Sequence, residues 1–337
     1  MSLDTPKAEA SGRRLTFWQR VLELQSRYPI LQVIALVGAY AYGAATLEGL
    51  LSLSSIKLIL VLASFAGLAA MGQTLLILMG GFDMSVPGFI IVGALTVTTL
   101  AKQFGLPFTV AVLLAVVGAA VIGGFAGQIC HRLNIPPLIM TLATGALALG
   151  FVQVQTGGTL AGGAPVWLSD FTSPAAKTFG VPIPPMLVLW IVAIALMSIF
   201  LGRTVAGRHL MATGANMRAA DYSLVRTRWV WTASFAFSAV MSVLVGVLLA
   251  GFAGSVGPTL GNPYLFQGVA AVIVGGTFFS GPGDYTRTVI GALFLTVLTT
   301  VIVAHGASAA DKQILYGVII LVAVTIYGRD KRLRDRI

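Results

Sequence analysis

Long apolar stretches alternate with short polar segments along almost the whole chain. A helix needs about 20 apolar residues to cross the hydrocarbon core of a bilayer, and ten such stretches fit this sequence. The pattern therefore predicts an all-α polytopic membrane protein, with an N-terminal segment at 1–29, a transmembrane domain at 30–327 and a tail at 328–337. The predicted spans are 30–47, 57–79, 86–101, 107–129, 138–154, 185–201, 229–253, 264–279, 287–304 and 313–327.

The composition agrees with this class. Hydrophobic residues make up 57% of the 337 positions and charged residues only 9%, whereas soluble domains carry roughly 25% charged residues. The net charge of +10 would suit a nucleic-acid partner, but the charges gather at the ends of the spans, so no nucleic acid is expected. The single cysteine, Cys130, excludes an internal disulfide framework and a cysteine-cluster metal site.

The distribution of basic residues predicts the orientation in the membrane. If the N-terminus is cytoplasmic and the ten spans alternate, every arginine lies on the cytoplasmic side. Only Lys57, Lys102, Lys177 and Lys312 then face the other side. Because cytoplasmic loops are enriched in Lys and Arg, both termini are expected in the cytoplasm. No cleavable signal pattern precedes the first span.

The segment 203–228 is the longest basic segment between two spans, with five arginines and one acidic residue. Asn216 is predicted to cap a short helix by accepting a hydrogen bond from a free backbone N–H. Met217, Ala220 and Leu224 then fall on one face at helical spacing. Such a helix suits docking on a soluble partner, while a solvated loop with positive-inside charge is the alternative.

The longest predicted external segment is 155–185, which is rich in glycine and proline. Long loops of this kind act as lids or as plain connectors. Trp167 within it is interpreted as an interfacial anchor, because tryptophan is enriched at membrane–water boundaries, with contact to a partner protein as the alternative.

Two turns share the pattern G-G-x3-S-x-P-G, at 80–88 and at 275–283. The paired glycines allow a tight exit from one helix, and Ser85 or Ser280 is predicted to cap the next. The echo indicates either a duplicated bundle with two related hairpins or convergent turn chemistry. Asp83 in the first turn is expected to cap the following helix or to form a salt bridge to a basic residue on the same side. The candidate partners are Arg132, Arg208 and Arg287.

The interiors of the predicted spans contain no Asp, Glu, His, Lys or Arg. Proton-coupled carriers keep such groups inside the membrane despite their cost, and embedded catalysis or metal binding would need them too. We therefore expect the chain to have no proton relay and no metal site within the membrane, and we do not expect it to be an enzyme. The chain also lacks the G-x-x-x-x-G-K-[ST] phosphate loop, so uphill transport would draw its energy from a partner.

Uncharged polar residues are the remaining candidates for solute contact. They could line a path for a polyhydroxylated solute or form hydrogen bonds between helices, and the sequence leaves both roles open. The candidates are Gln73, Gln153, Gln155, Asn262 and Gln267.

Several motifs resemble one family of membrane proteins. The sequence GGFDMSV at 80–86 is similar to the GGIDLSVG signature of permease subunits of ribose-type ABC sugar importers, and IPPLIMTL at 135–142 resembles their PPFIVTL segment. The segment 203–220 follows their RT-GR-A-G-N-AA loop, and AAVIVGGT at 270–277 resembles their AAVVIGGT. One departure is Leu224, which replaces a glycine usual in the family. The resemblance covers roughly 45–330.

The resemblance implies that 203–228 is the coupling element that seats in a groove of an ATPase. The implied coupling residues are Arg203, Gly207, Arg208, Gly214, Asn216, Ala219, Ala220 and Asp221. The family-motif turns contribute Gly80, Gly81, Asp83, Ser85, Gly275, Gly276, Gly281 and Gly283.

The resemblance also implies the partners. They are cytoplasmic ATP-binding subunits, which hold ATP and magnesium, a second permease that is identical or a paralogue, and a periplasmic solute-binding protein. This chain itself would need no cofactor. The expected function is import of a monosaccharide or related polyol across the bacterial inner membrane by alternating access. The alternative is a secondary carrier or facilitator for a small uncharged solute.

Overall fold

A computed structural model describes residues 29–157, 163–277, 279–281 and 283–334. Within these ranges the regular structure is helical, and β-structure is limited to one isolated bridge between Thr178 and Val181. The predicted all-α class is therefore confirmed. The N-terminal segment predicted at 1–29 lies outside the described residues except for its last position, as do the last three residues of the tail.

The helices follow one another in the order predicted for the spans, with short helices between some of them. They are α1 (Ile30–Thr46), α2 (Leu53–Leu78), α3 (Val86–Gln103), α4 (Phe108–Leu133), α5 (Pro137–Thr156), α6 (Val166–Thr172), α7 (Pro185–Arg203), α8 (Val205–Ala215), α9 (Met217–Tyr222), α10 (Thr227–Ala253), α11 (Asn262–Gly275), α12 (Tyr285–Ala304) and α13 (Ala309–Arg334).

Seven of the described helices are long and apolar enough to cross a membrane, namely α2, α3, α4, α5, α7, α10 and α12. Each of the ten predicted spans coincides with a helix, but the count of ten stays a prediction. Some helices begin earlier than hydropathy suggests. The Ser52 hydroxyl accepts a hydrogen bond from the backbone N–H of Ser55, so α2 starts at Leu53 and includes a polar first turn before the apolar stretch.

Burial separates an inner set of helices from an outer set. More than half of the most apolar window is buried in α2 (56%), α3 (67%) and α10 (61%), against 22% in α4, α5 and α7. The outer helices therefore leave apolar faces for lipid or for partner chains.

Glycines let the inner helices approach closely. A side chain at Gly93 of α3 would collide with the backbone carbonyl of Val243 in α10, and one at Gly246 of α10 would collide with that of Ile90 in α3. Nearer the start of α10, a side chain at Gly123 of α4 would collide with the backbone carbonyl of Phe235 in the same way. Small residues thus set the spacing of these helices, as is typical of membrane bundles.

The external segment predicted at 155–185 contains the short helix α6. Leu168 of α6 is buried against Gly251 of α10. The ring of Trp167 packs edge-on against Phe108, the first residue of α4, with ring centroids 4.8 Å apart. Its role as an anchor at the membrane–water boundary stays a prediction. Residues 158–162 of this segment are outside the described part of the chain.

Candidate functional site: the coupling segment and the Asp83 turn

The coupling segment 203–228 folds into the two short helices α8 and α9. The Thr204 hydroxyl caps α8 by accepting from the backbone N–H of Gly207 at 3.0 Å. The Asn216 carboxamide oxygen caps α9 by accepting from the N–H of Ala219, also at 3.0 Å. The predicted cap at Asn216 is confirmed. Capping residues at both starts divide the polar segment into two rigid pieces.

The predicted helical face of Met217, Ala220 and Leu224 is wrong at its last member. Helix α9 ends at Tyr222, because the N–H of Val225 turns back to the carbonyl of Ala220 and stops the helix. Leu224 adopts a left-handed backbone with φ of 64° and is 91% exposed, whereas Ala220 is buried. A glycine would adopt this conformation without strain, which explains why glycine is usual there in the similar family.

Helix α8 packs on the end of α2 without space for a side chain at the contact. A Cβ on Gly214 would collide with the backbone carbonyl of Leu78, the last residue of α2. A Cβ on Gly207 would collide with the carbonyl of Phe200 in α7. Both glycines are buried. These two predicted coupling residues therefore hold α8 directly against two apolar helices.

The opposite side of the coupling segment is exposed. Tyr222 and Leu224 are 89% and 91% exposed. The predicted residues Arg203, Arg208, Asn216, Ala219 and Asp221 are exposed with them. Sequence reasoning missed Tyr222 as a candidate. The departure at Leu224 was the available signal, since a large apolar residue replaces glycine where the backbone is left-handed.

A chain of hydrogen bonds joins α9 to the last turn of α4. The buried Thr227 hydroxyl lies 2.5 Å from the Asp221 carboxylate and 2.9 Å from Nε2 of His131. An ionised carboxylate can only accept, so Thr227 donates to Asp221, and its oxygen then accepts from the Nε2–H of His131. No local sequence pattern points to His131, because Thr227 lies 96 residues away in the chain.

The Asp83 turn, residues 79–85, connects α2 and α3 and is mostly buried. The Asp83 carboxylate accepts hydrogen bonds from the N–H and hydroxyl of Ser85, at 2.8 and 2.5 Å, and from the Ser238 hydroxyl of α10 at 2.6 Å. The predicted salt bridge to an arginine is wrong, since these donors and burial surround the carboxylate instead. Burial raises the pKa of Asp83, and the hydrogen bonds from Ser238 and Ser85 lower it by less.

Two further side chains hold the Asp83 turn. The amide of Gln73 in α2 donates to the carbonyl of Asp83 at 2.5 Å and accepts from its N–H at 3.3 Å. The Thr141 hydroxyl of α5 accepts from the N–H of Met84 at 2.9 Å. The turn is thereby fastened to α2, α5 and α10, although it contains no regular structure.

The predicted serine caps are wrong at both motif turns. Ser85 occupies the position before α3, but its backbone is helical and its hydroxyl donates to Asp83 instead of capping. Helix α12 begins at Tyr285, and Asp284 caps it by accepting from the N–H of Arg287 at 2.9 Å. Ser280 lies too far upstream to serve this role.

The two motif turns contact each other. The N–H of Ser280 donates to the carbonyl of Ile77 at 3.1 Å, and a side chain on Gly80 would collide with the Ser280 hydroxyl. The two turns share the sequence motif but not the backbone conformation. The left-handed glycine is the first of the pair in one turn, Gly80, and the second of the pair in the other, Gly276. Among the other motif glycines, Gly81 is buried and Gly281 lies in a bend. A side chain added to Gly275 would collide with the backbone carbonyl of Arg287, and one added to Gly283 would collide with the side chain of Thr277.

The predicted path residues are only partly brought together. Gln73 is fully buried, and a Cβ added to Gly268, the neighbour of Gln267 in α11, would lie 3.8 Å from the Cγ of Gln73. Gln267 is nearly buried, and its amide makes no hydrogen bond to any residue that the structure describes. Gln153 and Gln155 lie at the end of α5, and Asn262 is exposed at the first position of α11. Among the described residues, no group of three His, Cys, Asp or Glu side chains could hold a metal.

Comparison with known proteins identifies the family. The autoinducer 2 import system permease protein LsrC of Yersinia pestis (strain Pestoides F) is 29% identical over 316 residues, covering 94% of this chain and 87% of the relative. The LsrC protein of Yersinia enterocolitica is 28% identical over the same length. No solved structure matches significantly. The sequence profile of the branched-chain amino acid transport system permease component family matches residues 55–324, and the chain belongs to this family of ABC importer permeases.

Proposed function

We propose that this chain is the transmembrane subunit of an ATP-driven importer for a monosaccharide or related polyol. The family supports the transport role, and the relatives that import autoinducer 2 support a small polar solute. ATP and magnesium would be held by separate ATPase subunits. A second permease copy or paralogue and a periplasmic solute-binding protein would complete the assembly, with ten spans and both termini cytoplasmic in the inner membrane.

The observation that carries the proposal is the contact of Gly214 with Leu78. It places the exposed coupling segment in direct backbone contact with the end of α2. The residues that follow Leu78 form the Asp83 turn, which is bonded to α10 through Ser238. Because the contact contains no deformable side chain, a displacement of α8 is passed to inner helices rather than absorbed. This arrangement suits alternating access driven from the cytoplasm.

Tyr222 and Leu224 are the proposed anchors for the ATPase. Aromatic and apolar anchors that are exposed in a free subunit and buried in a complex dominate many interfaces. The arginines Arg203, Arg208 and Arg218 are exposed in the same segment, so the matching groove would be apolar with an acidic rim.

The proposed solute is uncharged. The one buried acid in the described structure, Asp83, already accepts hydrogen bonds from serines, and the span interiors lack charged groups. The amide of Gln267 makes no hydrogen bond to any described residue, which fits contact with a hydroxyl-rich solute. We keep Gln73, Gln153, Gln155 and Asn262 as further candidates for the path.

The test is uptake by proteoliposomes that contain the chain with its ATPase and binding protein. Ribose, other monosaccharides and autoinducer 2 would be offered outside, with ATP inside. The expected result is uptake that needs the ATPase and persists when the proton gradient is collapsed. Uptake without the ATPase, or uptake that follows the proton gradient, would instead establish the secondary carrier or facilitator.

The docking anchor has its own test within the same system. Tyr222→Ala is expected to weaken binding of the ATPase by at least about fivefold, as truncation of a central aromatic usually costs more than about 1 kcal/mol. Phe179→Ala is the matched control, because Phe179 is also fully exposed but belongs to the predicted external segment. Equal ATPase binding by both variants would contradict the assignment.

A further inference from the structure

A deep apolar groove lies between α2, α7 and α10. Its volume is about 670 Å³, and it is open along one side. Representative lining residues are Met71, Leu75, Ala193, Met197, Phe237 and Met241. The groove is lined almost wholly by carbon, so water would fill it at a cost and an apolar occupant is favoured.

The length of the groove matches one leaflet of a bilayer. Its lining along α7 runs from Leu189 to Phe200, a distance of about 16 Å at 1.5 Å per residue. The hydrocarbon core is about 30 Å thick, so the groove covers one half of it. It starts near the end of α7 and the beginning of α10, which is the end that carries the coupling segment.

Basic residues stand at this end of the groove. Arg203 is exposed and lies one turn beyond Phe200 in α7. Trp229 lies one turn before Ala233 on the lined face of α10, and the guanidinium carbon of Arg228 sits 5.8 Å from its ring centre. Tryptophan and arginine at the boundary of an apolar groove are suited to a lipid headgroup with negative charge.

We propose that the groove binds one anionic phospholipid of the cytoplasmic leaflet. An acyl chain occupies the space between α2, α7 and α10, and the phosphate group pairs with Arg203 and Arg228. The rest of the chain is a poorer occupant, because residues 1–28 carry more basic than acidic side chains and would be repelled by the arginines. A second copy related by a two-fold axis would bring identical arginines together on this face.

The test measures which lipids stay bound to the full chain. The protein is reconstituted in vesicles of phosphatidylglycerol and phosphatidylethanolamine in equal parts, extracted in mild detergent and analysed by native mass spectrometry. The wild type is expected to retain phosphatidylglycerol selectively. Arg203→Gln and Arg228→Gln should each lower that retention about fivefold, and Ala193→Trp should abolish it by filling the groove.

Matched controls separate the groove from general lipid affinity. Arg132→Gln removes an exposed charge on the same predicted side, and Ala41→Trp fills a smaller apolar groove between α1, α2 and α12. Both should retain the lipid normally. Unchanged retention in the groove variants, or equal loss in the controls, would overturn the proposal.

A photoreactive residue at position 193 gives a measurement that does not depend on the variants folding equally well. A crosslink to phosphatidylglycerol supports the proposal. A crosslink to the N-terminal segment or to a second copy of the chain overturns it. Neither readout requires transport, so the proposal can fail while the proposed function stands.

Discussion

Gly214 of the coupling segment lies so close to the backbone carbonyl of Leu78 that no side chain fits between them. The two residues belong to elements with opposite roles. One element is exposed and polar, and the other is the end of a buried membrane helix. Their contact connects a surface available to a soluble partner with the interior of the bundle.

Replacement of Gly214 by leucine is expected to separate nucleotide turnover from transport. The added side chain forces α8 away from α2, and overpacking of this kind costs about 1–3 kcal/mol. We expect ATPase activity in the assembled complex to become insensitive to the loaded binding protein, with uptake strongly reduced. Ala215→Leu is the control, because Ala215 is adjacent but exposed. If Gly214→Leu kept both activities linked, the contact would not transmit movement.

The Thr227 hydroxyl is expected to hold α9 in place and to support stimulation of the ATPase. Thr227→Val keeps the shape but removes the hydroxyl that joins Asp221 to His131, and the loss of a typical hydrogen bond costs about 0.5–1.5 kcal/mol. We expect α9 to loosen, seen as faster amide exchange at 217–222, and substrate-stimulated ATPase activity to fall. Thr227→Ser should restore both. A valine variant with wild-type exchange and stimulation would mean that the hydrogen-bond chain has no role in coupling.

Leu224 is expected to lower the thermal stability of the chain while strengthening its binding to the ATPase. A left-handed backbone costs a non-glycine residue about 1–2 kcal/mol, so Leu224→Gly should raise the thermal stability of the isolated chain. The same change removes an exposed apolar side chain and should weaken ATPase binding. Phe179 is also exposed and left-handed, with φ of 50°. Phe179→Gly should therefore gain stability without losing ATPase affinity, and a matching loss of affinity would refute the docking role of Leu224.

Asp83 is expected to make stability depend on pH. Its pKa in the folded chain is raised by burial, so the unfolded chain releases the proton at lower pH than the folded chain does. Stability from this group is therefore present at low pH and lost as the pH rises above the ordinary aspartate pKa. Asp83→Asn removes this dependence. The melting temperature of the variant relative to the wild type should rise as the pH is raised from about 4, and a difference that stays constant with pH would contradict the shift.

The sequence by itself determined the features that depend on neighbouring residues. Apolar stretches of sufficient length specified the helices, and the carboxamide of Asn216 specified the start of α9, because a capping bond reaches only three residues along the chain. The motifs at 80–86, 135–142, 203–220 and 270–277 indicated the permease family for the same reason, since each is a short run of adjacent residues.

Only the tertiary structure decided which polar groups meet. Asp83 accepts a hydrogen bond from Ser238, which is 155 residues away in the chain. A rule based on neighbouring residues therefore could not identify this serine, rather than an arginine, as its partner. The same holds for His131 and Thr227 across 96 residues. Hydrogen bonds in a bundle depend on how helices are placed side by side, and that placement is set by close backbone contacts such as Gly214 with Leu78, which leave no trace in the hydrophobic pattern.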